Sequence, residues 1–427
     1  MGGSCLPGRA ILQSYDPQEK LVRVLHVFDH SLPHHSGYSF RSEAIVRAQR
    51  DRGIDTLHLT GPKHDFNGSR IEVTLGLEFH RCPQVISGSG PLAQTRCVVA
   101  LRRELRRLIE ATRPDLLHCH SPCLNGLAAL GLGIPVVYEV RACWEDAAVS
   151  SGTTREGSMR YRASRALETY VARRADALVV ICEGLNAEFT ARGVPPSHVT
   201  VVGNAIDPAS IPTPSAEAVR SFRRVHGLGD RKVIGFFGSF YKYEGLELLV
   251  SSMPQVLRAV PDAVALLAGG GEAEASIETA VRRLGLERSV MRLGRIPHES
   301  IGACYGAATV MAFPRLQQKL TDMVTPLKPI EAGFLGVPVV ASNVGGHQEI
   351  VSHNDTGLLF PAGSPDELAK ALIRVLNDQE LRTRLARRAR EYVLRERLWS
   401  HMAERYERIY SCLLTGVERP GDANGSD

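Results

Sequence analysis

"VTVVGNAIDPASIPTPS", residues 199–215, is where the rhythm of this chain breaks. A β-branched run gives way to prolines and small polar residues, the composition of a linker over about 203–216. Upstream, "LVRVLHVFD" (21–29) reads as a strand, followed by a loop with Pro33 and Gly37 and a helix over 39–52. "DTLHLT", "IEVTLG" and "GLEFHRCP" are further strands, a helix follows at about 93–112, and then come "DLLHCH", "IPVVYEV" and "ADALVVICE". Downstream the alternation restarts with "KVIGFFGSF", "EGLELLVSSMPQVLRA", "AVALLAGGG", "VMRLGRI", "ATVMAFP" and "TGLLF". Parallel neighbours need crossover connections, so strands alternating with helices imply an α/β chain of two doubly wound, parallel-sheet, Rossmann-like domains. Their expected spans are 21–205 and 206–395; a helical stretch over about 379–414 is long enough for 396–414 to cross back to the first domain, and 1–20 and 415–427 are expected to be flexible.

Composition narrows the class. A chain of 427 residues with 44% hydrophobic and 23% charged residues is a soluble globular one, too long for a single ordinary core. A formal charge of +5 is modest for this length and excludes a dedicated nucleic-acid binder, while suiting an anionic substrate or a membrane surface. Nine cysteines are scattered without a C-x-x-C pair, which reads as reduced thiols in a cytoplasm. No apolar run reaches membrane-span length and the N-terminus has no apolar core for a signal, so a cytoplasmic location is expected, with peripheral contact at the inner face of the plasma membrane as an option. In "TRCVVALRRELRRLIEATR", Val98, Leu101, Leu105 and Leu108 share one face and Arg102, Arg103, Arg106 and Arg107 lie mostly elsewhere. That is either a core-facing helix with a solvated basic side or a membrane-surface helix.

Ligands of open parallel sheets bind beyond the carboxyl ends of the strands, so residues that follow strands carry the chemistry. Gly37, in "HSLPHHSGYSFRSE", lets a backbone approach a ligand at a helix start, or simply makes a turn. His118 and His120 alternate on "DLLHCH", one expected toward the core and the other at the strand's mouth. "HCHSPC" has zinc-ligand types, but no second tight cluster completes a tetrahedral set, and no metal is expected. In "GFFGSFYKYEGLELL", Gly235 and Gly238 end a strand and Lys242 is within reach of a phosphate, or is merely solvated. "FPRLQQKLTDMVTPLKPIEAGF" gathers Arg315, Lys319 and Lys328 before a helix N-terminus, with Asp322 and Glu331 as acceptors. An anionic group and a polyhydroxyl group could be held together there, as a nucleotide sugar requires. "LLAGGGEAE" lacks the third glycine of a dinucleotide fingerprint.

Over about 21–410 the chain resembles a GT-B glycosyltransferase of family four, the retaining, nucleotide-sugar-dependent group. The residues that carry the resemblance are "PDLLHCHSP", "VVGNAID", "LLAGGGE", "LGRIPHESIGACYGAATVMAFP" and "TPLKPIEAGFLGVPVVASNVGGHQEIV". "VLHVFDHSLPHHSGYSFRS", "GTTREGSMRYRASRALE" and "GSFYKYEGLELL" are further similar to the bacterial subgroup associated with exosortase and exopolysaccharide clusters. The resemblance implies a hexosyl transferase that moves a sugar from a nucleotide-sugar donor to a glycan or polyprenyl-linked acceptor, with no cofactor and no metal. It puts Glu331 on the donor ribose and His120 beside the transferred sugar. Thr325, Pro326 and Leu327 fall at the donor helix mouth, while Glu145, Asp146 and Arg155 fall on the acceptor side. Two positions depart from the family pattern. The first of its two glutamates falls on Met323, with Asp322 one position early, and its phosphate-binding arginine and lysine are replaced by Ser239 and Glu244. Phosphate charge is then expected from Lys242, Arg315, Lys319 and the helix N-terminus near Thr325. These departures keep a non-catalytic nucleotide- or glycan-binding protein of the same fold open, and an epimerase or phosphorylase is the other rival.

Overall fold

Strand β1, Arg23–Phe28, has five of six residues buried, the pattern of a strand covered on both faces. The computed structural model describes residues 21–416 except 35, 66, 67, 89 and 212. In the first domain β1 is joined by β2 (Asp55–Thr60), β3 (Ile71–Thr74), β4 (Leu77–Arg81), β5 (Leu116–His120), β6 (Val136–Val140), β7 (Ala177–Val180) and β8 (Val199–Val201). They form one sheet in the order β3-β4-β2-β1-β5-β6-β7-β8. All pairs are parallel except β3 with β4, which corrects the all-parallel expectation at this edge. Leu75 and Gly76 have φ of 51° and 75°, and two successive left-handed residues make the tight turn that folds the pair back on itself.

The second sheet contains β9 (Lys232–Ser239), β10 (Ala263–Gly270), β11 (Val290–Gly294), β12 (Val310–Phe313), β13 (Val339–Ser342) and β14 (Leu358–Phe360). Its order is β11-β10-β9-β12-β13-β14, all parallel, so helices cover both faces as the sequence alternation requires.

Helix starts follow their caps. The helix expected from 39 begins at Gly37 because the Ser36 hydroxyl accepts the Ser39 N–H. In the helix Pro91–Thr112, Leu101, Leu105 and Leu108 are buried, the core-facing alternative, while Leu92 and Val99 are exposed on the other side. The single helical stretch expected over 379–414 is two helices, Gln379–Glu396 and Trp399–Thr415. The break has a cause: Ile206 N–H donates to Arg397 O (2.8 Å) and Trp399 N–H to Ile206 O (3.1 Å), so the two passages of the chain between the domains pair with each other. The C-terminal helix Trp399–Thr415 then buries Trp399, Met402, Tyr406, Ile409 and Tyr410 in one cluster with Val24, Ile45, Leu116 and Val137 of the first domain. The expected flexible ends fall outside the described residues, apart from Thr415, which closes that helix, and Gly416. The eight described cysteines are free thiols, and no described helix is long and apolar enough to cross a membrane.

Candidate functional site

Gly238, one residue before the end of β9, has a φ of +135°. A Cβ there would lie 2.5 Å from Lys328 Cε, so a side chain would displace the lysine stem that passes over the strand end, and the positive φ itself favours glycine. Lys328 opens the helix Lys328–Phe334, sets Nζ 4.8 Å from the centroid of the Phe236 ring, and donates to Glu244 Oε1 at 2.7 Å. Arg315, two residues beyond β12, donates to the same carboxylate through Nη2 (3.1 Å) and Nε (3.3 Å), and its Nη1 donates to Val324 O. Burial works against the charged form of Glu244, but Lys328 and Arg315 overcome it and hold the carboxyl at about 2. Burial likewise lowers the Lys328 pKa, with Glu244 opposing. Two cations therefore share the Glu244 carboxylate at the carboxyl end of β9, with the Glu331 carboxylate also acting on Lys328.

The position where the family has lysine holds Glu244, and the ammonium now arrives from the neighbouring helix. Sequence reasoning read Glu244 as a lost phosphate ligand and missed it as the anchor for Lys328. The available signal was a lysine at the start of the very helix that carries Glu331. Glu331 is half-buried and accepts from Tyr305 O–H at 2.8 Å, which aims the carboxylate along the same helix face. That helix has only seven residues and starts at Lys328, with Leu327 as its N-cap, so the helix N-terminus expected near Thr325 is corrected. Thr325 and Pro326 are buried; the Thr325 carbonyl accepts from Asn204 Nδ2 (2.8 Å), and its hydroxyl has no hydrogen-bond partner.

Lys319 is placed elsewhere than expected. Its Nζ lies 3.2 Å from Asp146 Oδ2 and 3.1 Å from Tyr161 O–H, so it ties the second domain to the first and is not part of the Lys328 cluster. Asp322 accepts the Gly345 N–H at 3.0 Å, an anchoring bond to the next loop. Met323 packs into the core of the first domain, and a Cβ on Gly184 would lie 2.9 Å from Met323 Cα. A glutamate here would be buried against that core, which accounts for the methionine. Lys242 is exposed on a short 3₁₀ turn, Lys242–Glu244. Of the acceptor-side residues, Glu145 is buried against Arg192 Nη2 (2.6 Å), Asp146 accepts from Tyr161 O–H (2.8 Å), and Arg155 is exposed. Gly37 is exposed, and nothing lies within 4 Å of where its Cβ would be.

His118 and His120 share one face of β5, because side chains repeat every two residues along a strand; their rings stack at 4.2 Å. This corrects the expectation that they diverge. His26 of β1, unmarked by spacing, brings a third imidazole alongside. His120 is wholly buried, and both its ring nitrogens are engaged, with Arg141 Nη2 at 2.8 Å and His26 Nδ1 at 3.0 Å. In this arrangement both nitrogens of His120, the residue expected to orient the transferred sugar, are held by protein partners. Burial, then His118 and Arg141, lower its pKa well below the ordinary range, so the ring is neutral.

Comparison with known proteins divides the chain as the sheets do. Residues 36–205 match the family model for a glycosyl transferase 4-like domain, and residues 219–392 match glycosyl transferases group 1. YtcC of Bacillus subtilis is 32% identical over 228 residues, 50% of this chain and 54% of that one, so the alignment spans about half of this relative. A D-inositol 3-phosphate glycosyltransferase of Corynebacterium diphtheriae is 27% identical over 387 residues, covering 86% of this chain and 87% of the relative. Among solved structures, a sucrose-phosphate synthase of Thermosynechococcus elongatus superposes with a TM-score of 0.74 at 20% identity, over 93% of this chain and all of the other. Anabaena HepE in complex with UDP-glucose superposes at 0.72 and 19%, over 91% of this chain and 99% of the other. The fold is GT-B, two parallel-sheet α/β domains.

Proposed function

We propose, for a chain whose first domain belongs to the glycosyl transferase 4-like family and whose second belongs to glycosyl transferases group 1, that it moves a sugar from a nucleoside-diphosphate sugar to an acceptor. The observation that carries this reading is the Lys328–Glu244–Arg315 cluster at the carboxyl end of β9, with Glu331 on the same helix. A diphosphate replaces part of the carboxylate's role in holding the two cations, and Glu331 supplies the acceptor for ribose hydroxyls. Developing charge on the departing nucleoside diphosphate is the main electrostatic demand of such a reaction, and a fixed ammonium and guanidinium meet it without reorganisation. Positive charge in this reading comes from side chains, with no metal ion and no cofactor.

The finer features, a retaining course, a hexose, a glycan or polyprenyl-linked acceptor and a role in exopolysaccharide synthesis at the cytoplasmic face, rest on the sequence resemblance. Lipid contact, if the acceptor is membrane-bound, would use the exposed Leu92 and Val99 flanked by Arg96, Arg103 and Arg106, the side of the helix opposite the core. The non-catalytic reading draws on Met323, Ser239 and Glu244, and Lys328 answers the last of these by bringing an ammonium from the neighbouring helix. A panel of UDP-, GDP- and ADP-sugars, assayed for release of free nucleoside diphosphate with and without glycan acceptors, tests the proposal. Acceptor-dependent release from one donor supports transfer. Tight donor binding without release or product returns the chain to the binding-protein class, and rearranged sugar with donor alone indicates the epimerase.

A further inference from the structure

Tyr241 and Tyr243 stand on either side of Lys242 in the turn that leaves β9. Their rings stack, with centroids 5.2 Å apart and planes 15° from parallel, and Tyr241 is 46% exposed. One exposed apolar ring is ordinary on a protein surface. A parallel pair held by its own backbone is a built surface. Glu244 N–H donates to Tyr241 O (3.0 Å), Leu316 N–H to Tyr243 O (2.9 Å) and Lys242 N–H to Glu272 Oε1 (3.1 Å), so the turn is fixed at three points. A ligand that covers the Tyr241 ring therefore has no loop to order.

Contacts place this pair relative to the donor cluster. The guanidinium carbon of Arg315 lies 5.6 Å from the centroid of the Tyr243 ring. Arg315 bonds to Glu244, Glu244 to Lys328, and the Lys328 helix leads on to Glu331. Followed from contact to contact, the groups run Tyr241, Tyr243, Arg315, Glu244, Lys328, Glu331. With ribose on Glu331 and diphosphate on Lys328 and Arg315, the row follows the order of a nucleoside-diphosphate sugar, in which the sugar lies across the diphosphate from the ribose. The end beyond Arg315 then belongs to a sugar and not to the nucleobase.

The chemistry of the ring agrees with that place. A pyranose presents C–H groups of partial positive charge on one face, and the face of a phenol ring is the negative side of its quadrupole. Hydroxyls around the sugar's rim need polar partners, and the exposed Lys242 and Glu272 lie beside the stack. We propose that Tyr241, backed by Tyr243, is a stacking platform for a pyranose ring, either of an acceptor glycan or of the sugar being transferred, with Lys242 and Glu272 as partners for its hydroxyls.

The choice of a sugar rests on the transferase reading, and the test separates the two. Tyrosine ring signals of the full chain are followed by NMR as methyl glycosides of glucose, galactose, mannose and N-acetylglucosamine are added without nucleotide, and then as UDP-glucose and GDP-mannose are compared with UDP and GDP. At least one pyranose probe should shift the Tyr241 signals. A glycoside that acts alone marks the acceptor, whereas a shift with a nucleotide sugar and not with its nucleoside diphosphate marks the transferred sugar. Tyr241→Ala should weaken that binding by about tenfold and leave the nucleoside diphosphate affinity unchanged, while Tyr241→Phe, which keeps the ring, should retain it. Tyr241 signals that ignore every pyranose probe, that move with a nucleoside alone, or equal sugar affinity in the alanine variant overturn the platform, even where UDP or GDP binds. Pyranose binding at Tyr241 in a chain that binds no nucleoside diphosphate keeps the platform and overturns the transferase reading instead. Should the alanine variant not fold, the wild-type shifts and the phenylalanine variant decide.

Discussion

Lys328 and Arg315 both lean on Glu244, and that sharing predicts different responses to losing each partner. Glu244→Ala leaves two buried cations facing one another, a loss of the kind that costs about 3–5 kcal/mol when one partner of a buried pair is removed. The melting temperature should fall, and added nucleoside diphosphate should restore more of it than in the wild type, because the anion takes the carboxylate's place. Thermal melts with and without nucleoside diphosphate check this, and equal ligand-induced shifts in both proteins would count against the cluster as an anion site. At Glu331, substitution by alanine should weaken donor binding with little change in the melt, since the side chain is half-buried and its Tyr305 bond is one neutral-donor contact. A donor affinity unchanged in a calorimetric titration would remove Glu331 from the ribose. Much of this was legible: Arg315, Glu331 and the lysine at 328 stand in one short stretch of sequence. What could not be read was which cation turns toward the strand end, because Lys319 and Lys328 differ only in how the chain between them is folded back by the bond from Asp322 to Gly345.

Elements place these groups, and two glycines separate packing from ligand approach. Gly184→Ala would push a methyl to 2.9 Å from the Met323 Cα and 3.1 Å from its carbonyl, backbone that cannot give way by rotation. Overpacking of this kind costs about 1–3 kcal/mol, and it falls where the second domain plugs into the first, so the melting temperature should drop. Gly37→Ala meets nothing within 4 Å, sits at a helix start, and should leave the melt unchanged or slightly raised. If a ligand approaches that backbone, the same variant weakens ligand binding in titration while the fold is untouched; unchanged affinity makes Gly37 a turn and nothing more. The elements themselves were read well from alternation and caps, because strand and helix periods are local. The failures were tertiary. The break at Arg397 and Leu398 depends on pairing with Ile206, nearly two hundred residues away, and the His26 partnership depends on β1 lying beside β5.

At the scale of the molecule, five buried histidines, His26, His58, His118, His120 and His347, have pKa values lowered by burial first, His58 to about 4 and His347 to about 3. Their folded values lie below the unfolded value near 6.5, so on acidification the unfolded chain binds protons first. Stability is then fully present above about pH 6.5 and is lost as pH falls, by about 1.4 kcal/mol per pH unit for each uncancelled histidine. Glu168, raised by burial to about 7, and Glu349, also raised by burial, act with the opposite sign but are fewer. Glu244 adds its own loss only below about pH 4.5. The urea midpoint should therefore fall between pH 7 and pH 5, and a flat profile would mean that these rings are solvated. Both domains and the crossing C-terminal helix serve one end in this account: they hold the carboxyl ends of the two sheets in place, with the donor's phosphates on Lys328. Calorimetric titration of UDP, GDP and ADP, each paired with its nucleoside, against wild type and Lys328→Met tests this most directly. The account predicts that at least one nucleoside diphosphate binds, and that the variant weakens it by about 10- to 150-fold, the equivalent of one charge-assisted hydrogen bond of about 1.5–3 kcal/mol, while the nucleoside is unaffected. No binding of any nucleoside diphosphate to the wild type, or equal affinity in the Lys328→Met protein, would contradict it.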